Sequence, residues 1–124
     1  MAATASITIS GTISNTPTGS RAIGPITLTS AAANGQVQQL VLAAGDNTVT
    51  VPTGIATSGC IIQLPATNTS VTTIKGTSGG SDTGIAIGKT TAQVLNWDAT
   101  AAPANFILNS VSTQTSKVTE ITFF

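Results

Sequence analysis

The sequence predicts an all-β protein, an antiparallel β-sandwich or a small barrel of about 8–10 short strands, with no long helix. Ile7 and Ile9 flank Thr8, and Val49 and Val51 flank a threonine in the same way. This period of two gives a strand one apolar and one polar face. Glycine, proline, asparagine and serine separate these segments, and such residues end strands and form turns.

Ten segments carry this signature, and one or two of them are expected to merge or fail. They are rich in isoleucine, valine and threonine, which favour extended backbone. In chain order they are TASITIS from Thr4, GPITLTS from Gly24, QVQQLVLAA from Gln36, NTVTVP from Asn47, GCIIQLP from Gly59, SVTTIKG from Ser70, TGIAIG from Thr83, AQVLNW from Ala92, ANFILNS from Ala104 and KVTEITFF from Lys117.

Breaks between the segments have recognisable turn chemistry. Asn34-Gly35 and Asp46-Asn47 tolerate positive φ, and the segment from Ser78 to Asp82 is too flexible and polar for a strand. Only AAAN around Ala31 and DATAAPAN from Asp98 resemble helix, and a proline stops the second after one turn.

The chain length fits a single domain, residues 1–124. For residues 1–5 two interpretations stay open, a flexible N-terminal arm that reaches a neighbour and simple fraying. No basic leader followed by an apolar run opens the sequence, and no apolar stretch approaches membrane-spanning length. We therefore expect synthesis in the cytoplasm without a signal peptide, and no membrane partner.

Charge is scarce, at 6% of residues compared with about 25% in an ordinary soluble domain. Four basic residues balance four acidic ones, and the basic residues are scattered along the chain. Nucleic-acid binding requires clustered lysine and arginine, so we do not expect it. Disorder is also not expected, because 40% of the residues are hydrophobic.

Residues for chemistry are equally scarce. Histidine is absent, which removes the commonest general base and metal ligand, and the carboxylates stand singly in turn-like contexts. We therefore predict no catalytic residue, no cofactor, no metal site and no enzyme activity. Cys60 shares its strand face with Ile62 and Leu64, which predicts a buried apolar residue, and Asn68-Thr69-Ser70 is interpreted as a loop entering a strand.

Gly88-Lys89-Thr90 ends like a phosphate-binding P-loop. The motif requires four residues between its glycines and a helix directly afterwards. Only three residues separate Gly84 from Gly88, and the segment that follows is short and strand-like. We predict a hairpin that turns at Gly88-Lys89.

Three aromatic residues are predicted to lie at a subunit interface. In the C-terminal ITFF the period of two places Phe123 and Phe124 on opposite faces of one strand, so both faces need cover. Trp97 is the single tryptophan, and core or subunit packing is preferred for it over stacking on a sugar. The expected partner is a second copy of the chain.

The segments VTVPTG, IQLP, TGIAIG, VLNWD and FIL, taken together, resemble small bacteriophage virion proteins with a β-sandwich or jelly-roll fold. The resemblance covers roughly the C-terminal two-thirds of the chain and includes no catalytic or binding motif. It implies a structural component of a virion, either decorating the capsid or associated with the tail. It also implies a symmetric homo-oligomer, such as a trimer, in contact with other virion proteins.

Three alternatives use the same fold for other purposes. A carbohydrate-binding or host-adhesion module would hold sugars with Trp97 and loops rich in asparagine and glutamine. An ice-binding protein would use flat threonine arrays, but the unequal spacing of the threonine motifs argues against it. An enzyme is the least favoured, because histidine is absent.

Overall fold

In the computed structural model, residues 5–16, 19–30, 36–53, 57–115 and 117–124 are described. Within these ranges the fold is all-β: every pair of strands is antiparallel, and the helical content is one 3₁₀ turn, Ala99–Ala101. The strands are β1 (Ala5–Thr16), β2 (Gly19–Ser30), β3 (Gln36–Leu40), β4 (Gly45–Thr50), β5 (Gly59–Gln63), β6 (Thr72–Lys75), β7 (Ile85–Ile87), β8 (Ala92–Asn96), β9 (Asn105–Ser110) and β10 (Thr119–Phe123).

The all-β class is confirmed, and each of the ten predicted segments overlaps one strand. The short helical segment after Asp98 is also confirmed, as the 3₁₀ turn, which the Asp98 carboxylate caps by accepting from Thr100 N at 2.8 Å. The predicted turn at Asn34-Gly35 and the AAAN segment lie among residues 31–35, outside the described residues. Residues 1–4 of the suggested arm also lie outside them.

The turn predicted at Asp46-Asn47 is wrong by one or two residues, because both residues lie inside β4. Gly45 has the positive φ, +92°, that Asp46 and Asn47 were expected to adopt. The Asn47 side chain holds this turn from inside the strand: its Oδ1 accepts from Ala43 N at 2.9 Å, and its Nδ2 donates to Ala43 O at 2.9 Å. Asparagine therefore stabilises the turn with its side chain.

β1 and β2 form a separate two-stranded sheet, called the ribbon below. Each strand has 12 residues, longer than the predicted segments, because neither Gly11 nor Gly24 ends its strand. At Gly24 the register shifts and φ is +73°, and a Cβ there would collide with Ile9 O and Ile26 N. The chain needs glycine at this bulge, and the bulge allows β2 to continue.

The remaining eight strands form two four-stranded sheets. One has the order β3-β10-β5-β8 and the other the order β4-β9-β6-β7. Seven connections join consecutive strands from β3 to β10. Six of them begin in one sheet and end in the other, and the exception is the connection between β6 and β7. The eight strands are called the body below.

One hydrophobic core takes side chains from both body sheets. Cys60, Ile62, Ile121 and Phe123 belong to the first sheet and Val49, Phe106 and Leu108 to the second, and Leu42, Val51 and Leu64 lie at strand ends. The burial predicted for Cys60 is confirmed. Val49 is buried between exposed threonines, which confirms the predicted alternation in β4. Burying each aliphatic side chain contributes about 1.5–3 kcal/mol, so these positions carry most of the stability of the body.

Candidate functional site

Phe123 and Phe124 are buried within the chain itself. Phe123 lies in the core, with no exposed surface. Phe124 lies beside β5: its N–H donates to Gly59 O at 3.0 Å, and its carbonyl accepts from Ser58 N at 2.6 Å. A Cβ on Gly59 would lie 2.8 Å from Phe124 Cζ, so glycine leaves the space that the ring occupies. Both rings are therefore covered within the chain, so the need for outside cover, from which an interface at Phe123 and Phe124 was predicted, does not arise.

Trp97 is half-buried at the end of β8 and packs against the core. Its indole Nε1 donates to Thr57 O at 2.9 Å, and its backbone N–H donates to Ser58 O at 2.8 Å. The polar atom with which the ring would orient a sugar is thus already paired with backbone. The structure brings Trp97 and Phe124 to the same short segment, Ser58-Gly59, and leaves Phe123 in the core.

Gly88-Lys89 connects strands of different sheets. β7 pairs with β6, and β8 pairs with β5, so the predicted hairpin is wrong. The local turn signal at Gly88-Lys89 shows where the chain bends, but it does not determine which strands pair. Lys89 O accepts from the Asn68 side chain at 2.7 Å, and Asn68 is itself buried. The segment after Thr90 is the strand β8, whereas a P-loop would need a helix there.

Lys75 on β6 and Asp46 on β4 form an ion pair. The sequence did not reveal this pair, because β4 and β6 come together only through β9, which lies between them in the sheet. The side chain of Lys75 is 8% exposed, and its Nζ lies 3.1 Å from Asp46 Oδ1 and 2.6 Å from Gly79 O. Hydrogen bonds from the Asn109 side chain, the Gly79 N–H and Lys75 lower the pKa of Asp46 to about 2. The carboxylate therefore anchors the loop between β6 and β7 to the sheet.

Asp82 organises the same loop from inside. Its carboxylate accepts from the backbone N–H of Gly76 at 2.7 Å, of Thr77 at 3.1 Å and of Gly84 at 2.9 Å. The N–H of Thr77, followed by those of Gly76 and Gly84, lowers the pKa of Asp82. These partners explain Asp46 and Asp82 as structural groups. The loop is confirmed as non-strand, as its composition predicted.

No cavity and no cluster of three metal-ligating His, Cys, Asp or Glu side chains occurs in the described part of the chain. None of the described helices is long and apolar enough to span a membrane. The candidate for function is therefore a surface, and the ribbon supplies it.

The ribbon has one apolar and one polar face. Residues directly opposite each other in an antiparallel pair share a face. The pairs Ile7↔Leu28, Ile9↔Ile26, Gly11↔Ile23 and Ile13↔Arg21 lie on one side, called the isoleucine face below, and Ser6↔Thr29, Thr8↔Thr27 and Thr12↔Ala22 lie on the other. The alternation Ile7, Thr8, Ile9 predicted this sidedness for one end of the ribbon.

Four residues of the isoleucine face remain exposed to solvent: Ile9, Ile13, Ile23 and Ile26, each between 38% and 49%. Neither ribbon strand is hydrogen-bonded to a strand of the body within the described residues. An isolated two-stranded ribbon is marginally stable in water, and exposed contiguous apolar surface typically marks a protein contact. The isoleucine face is therefore the candidate assembly surface.

The body exposes smaller apolar sites at its sheet edges. Val37 on the edge strand β3 is 57% exposed, and Ile85 on the edge strand β7 is 73% exposed. Single exposed side chains of this kind are ordinary on protein surfaces. They are secondary to the isoleucine face, where four isoleucines are contiguous.

Comparison of the chain with protein-family models, with curated protein sequences and with solved structures finds no significant match.

Proposed function

We propose that this chain is a non-catalytic structural subunit of a bacteriophage virion, located in capsid decoration or associated with the tail. It assembles with copies of itself and with other virion proteins, and it stabilises the particle by protein contacts alone. The observation that carries the proposal is the isoleucine face, a contiguous apolar surface on the ribbon. A two-stranded ribbon is only marginally stable by itself. Contacts that exist only in the assembled particle stabilise the folded ribbon by mass action.

The body is proposed to be a jelly roll. In support, eight strands form two sheets of four, and consecutive strands mostly alternate between the sheets. The first and last body strands, β3 and β10, lie side by side, as expected when two Greek keys close over one core. A rigid sandwich of this kind presents its sheet edges to neighbours in a fixed geometry.

The low charge supports dense assembly. Repeated copies in a shell or tail bring identical surfaces close together, where like charges would repel. The chain has a formal net charge of zero, and its most buried lysine, Lys75, is paired with Asp46. The exposed polar face of the ribbon offers hydroxyl groups, which form hydrogen bonds without a net charge.

Purified virions from a culture in which this chain is made provide the test. Quantitative mass spectrometry across a density gradient should find the chain in the infectious-particle band, at a constant ratio to the major capsid protein. A non-structural phage protein serves as the negative control. Particles made without the chain should release their genome at a lower temperature. Recovery of the chain only outside the particle band would overturn the proposal.

A further inference from the structure

The isoleucine face contains one gap, at the cross-strand pair Gly11↔Ile23, where glycine has no side chain. Glycine in a strand interior weakens the strand unless its conformation or a close approach requires it. Gly11 has no positive φ, and a Cβ added there would meet nothing within 4 Å. It borders the register shift of the ribbon, and nothing else in the described part of the chain accounts for glycine at this position. A side chain from outside the chain would fill the gap.

A side chain of suitable shape to fill such a gap belongs to the same cross-strand pair. Ile23 is 39% exposed and stands directly opposite Gly11. If two ribbons lie face to face with a two-fold axis along their length, β1 of each copy covers β2 of the other. Each Ile23 then meets the other copy's Gly11, Ile9 meets Ile26, and Ile7 meets Leu28. Protein contacts pack as densely as interiors, so this alignment is favoured over one that opposes two Ile23 side chains and leaves two gaps.

The one charged residue on the isoleucine face, Arg21, is compatible with this alignment. Arg21 pairs with Ile13 near the tip of the ribbon and is exposed. In the two-fold arrangement its aliphatic stem covers the other copy's Ile13, and its guanidinium reaches water. Like charges exposed to solvent are screened by salt, so the two arginines oppose association only weakly.

The contact area sets the strength of the pairing. A strand of 12 residues is about 40 Å long, and two strands are about 10 Å wide, so each face covers about 400 Å². Face-to-face pairing removes about 800 Å² in total from water, below the size of most stable interfaces. A dissociation constant in the micromolar range or weaker is therefore expected for isolated chains, with stronger association at the high local concentration of a particle.

From these observations we propose that the isoleucine face binds the isoleucine face of a second copy of this chain, in parallel, with each Ile23 inserted over the other copy's Gly11. The inference rests on the proposed function in one respect: it names the partner of the isoleucine face, which is the surface that the proposed function uses. Its test uses the purified chain and is independent of any virion.

The first experiment measures the dissociation constant of the pair by analytical ultracentrifugation. Gly11→Val fills the gap, and overpacking of this kind should weaken pairing about tenfold or more. Valine favours strands, so the ribbon itself keeps its fold, which circular dichroism verifies. Thr8→Val adds a similar apolar surface to the opposite face and serves as the matched control, with less than about a threefold change. Equal effects of the two substitutions, or a trimer as the smallest assembly, would overturn the proposal.

The second experiment determines the register by disulfide formation. Gly11→Cys and Ile23→Cys chains, distinguishable by mass, are mixed and oxidised mildly. Cys60 is buried, and burial raises the pKa of its thiol to about 12, so it does not interfere. The expected product is the mixed disulfide, with little of either symmetric one, and a Thr8→Cys chain should give none. A predominant Ile23 homodisulfide indicates antiparallel pairing, and cross-linking through Thr8→Cys indicates the wrong face; both results would contradict the proposal.

These results are separable from those on virions. If the pair does not form but the chain is present in particles, only the inference is overturned. A pair that forms as expected, from a chain missing from particles, overturns only the proposed function.

Discussion

Truncation of Phe123 tests whether this ring stabilises the single chain or a subunit contact. Phe123 has no exposed surface and lies in the core that both body sheets share. Phe123→Ala removes the whole ring from a closely packed site, so the free energy of unfolding should fall by about 3–5 kcal/mol. A small domain is stable by about 5–15 kcal/mol, so the loss is a large part of the total.

Urea unfolding followed by circular dichroism measures this loss. With a denaturant slope of about 1.5–2 kcal/mol per M, the midpoint should fall by roughly 2–3 M. The decrease should be the same over an about 100-fold range of protein concentration, because the lost contacts are within one chain.

Val37→Ala on the neighbouring strand β3 is the matched control. Val37 is 57% exposed and lies on the strand that pairs with β10, so its truncation should cost less than about 0.5 kcal/mol. A loss below about 1 kcal/mol for Phe123→Ala, or a loss that disappears as the protein concentration rises, would refute the placement of this ring in the core. It would instead support the interface that the sequence suggested.

Three further expectations concern single sites. Gly59→Ala should destabilise the chain by about 1–3 kcal/mol in urea, since the added methyl would collide with the Phe124 ring and with β8; Gly80→Ala, with open space around its Cβ, is the control and should change stability by less than about 0.5 kcal/mol. The folded pKa of Asp46 is about 2, below its ordinary 3.8, so its contribution to stability should be complete above about pH 5 and lost as the pH falls toward 2. Asp46→Asn should flatten this part of the stability profile, and an unchanged profile would contradict the assignment. Cys60 should react with a thiol reagent only as fast as the chain unfolds, and rapid labelling of the native protein at neutral pH would show that it is not buried.

The sequence determined the positions of the strands. Each of the ten predicted segments overlaps one strand, because the preference of β-branched residues for extended backbone and the stopping of strands at turns are local effects. Val49 between two threonines shows how far this reasoning reaches, since its place on the apolar face of β4 follows from the alternation alone. The sidedness of the ribbon around Ile7 and Ile9 was visible for the same reason.

The tertiary structure decided which strands pair. Pairing in a sheet depends on contacts between residues far apart in sequence, and alternation is the same for every candidate partner. The sequence therefore suggested a β7–β8 hairpin, whereas these strands lie in different sheets. It also placed Phe124 at an interface, because the space that Gly59 leaves for the ring is visible only when β5 lies beside the end of the chain.

For the isoleucine face, too, the sequence determined one part and the tertiary structure decided the other. The isoleucines could be assigned to one face from their spacing, but their exposure could not, since exposure depends on whether another element covers that face. In the structure the body builds its core from its own two sheets and leaves the ribbon as a separate sheet. The alternation of residues is a property of the local chain, and the lack of a cover within the described fold is a property of the tertiary arrangement.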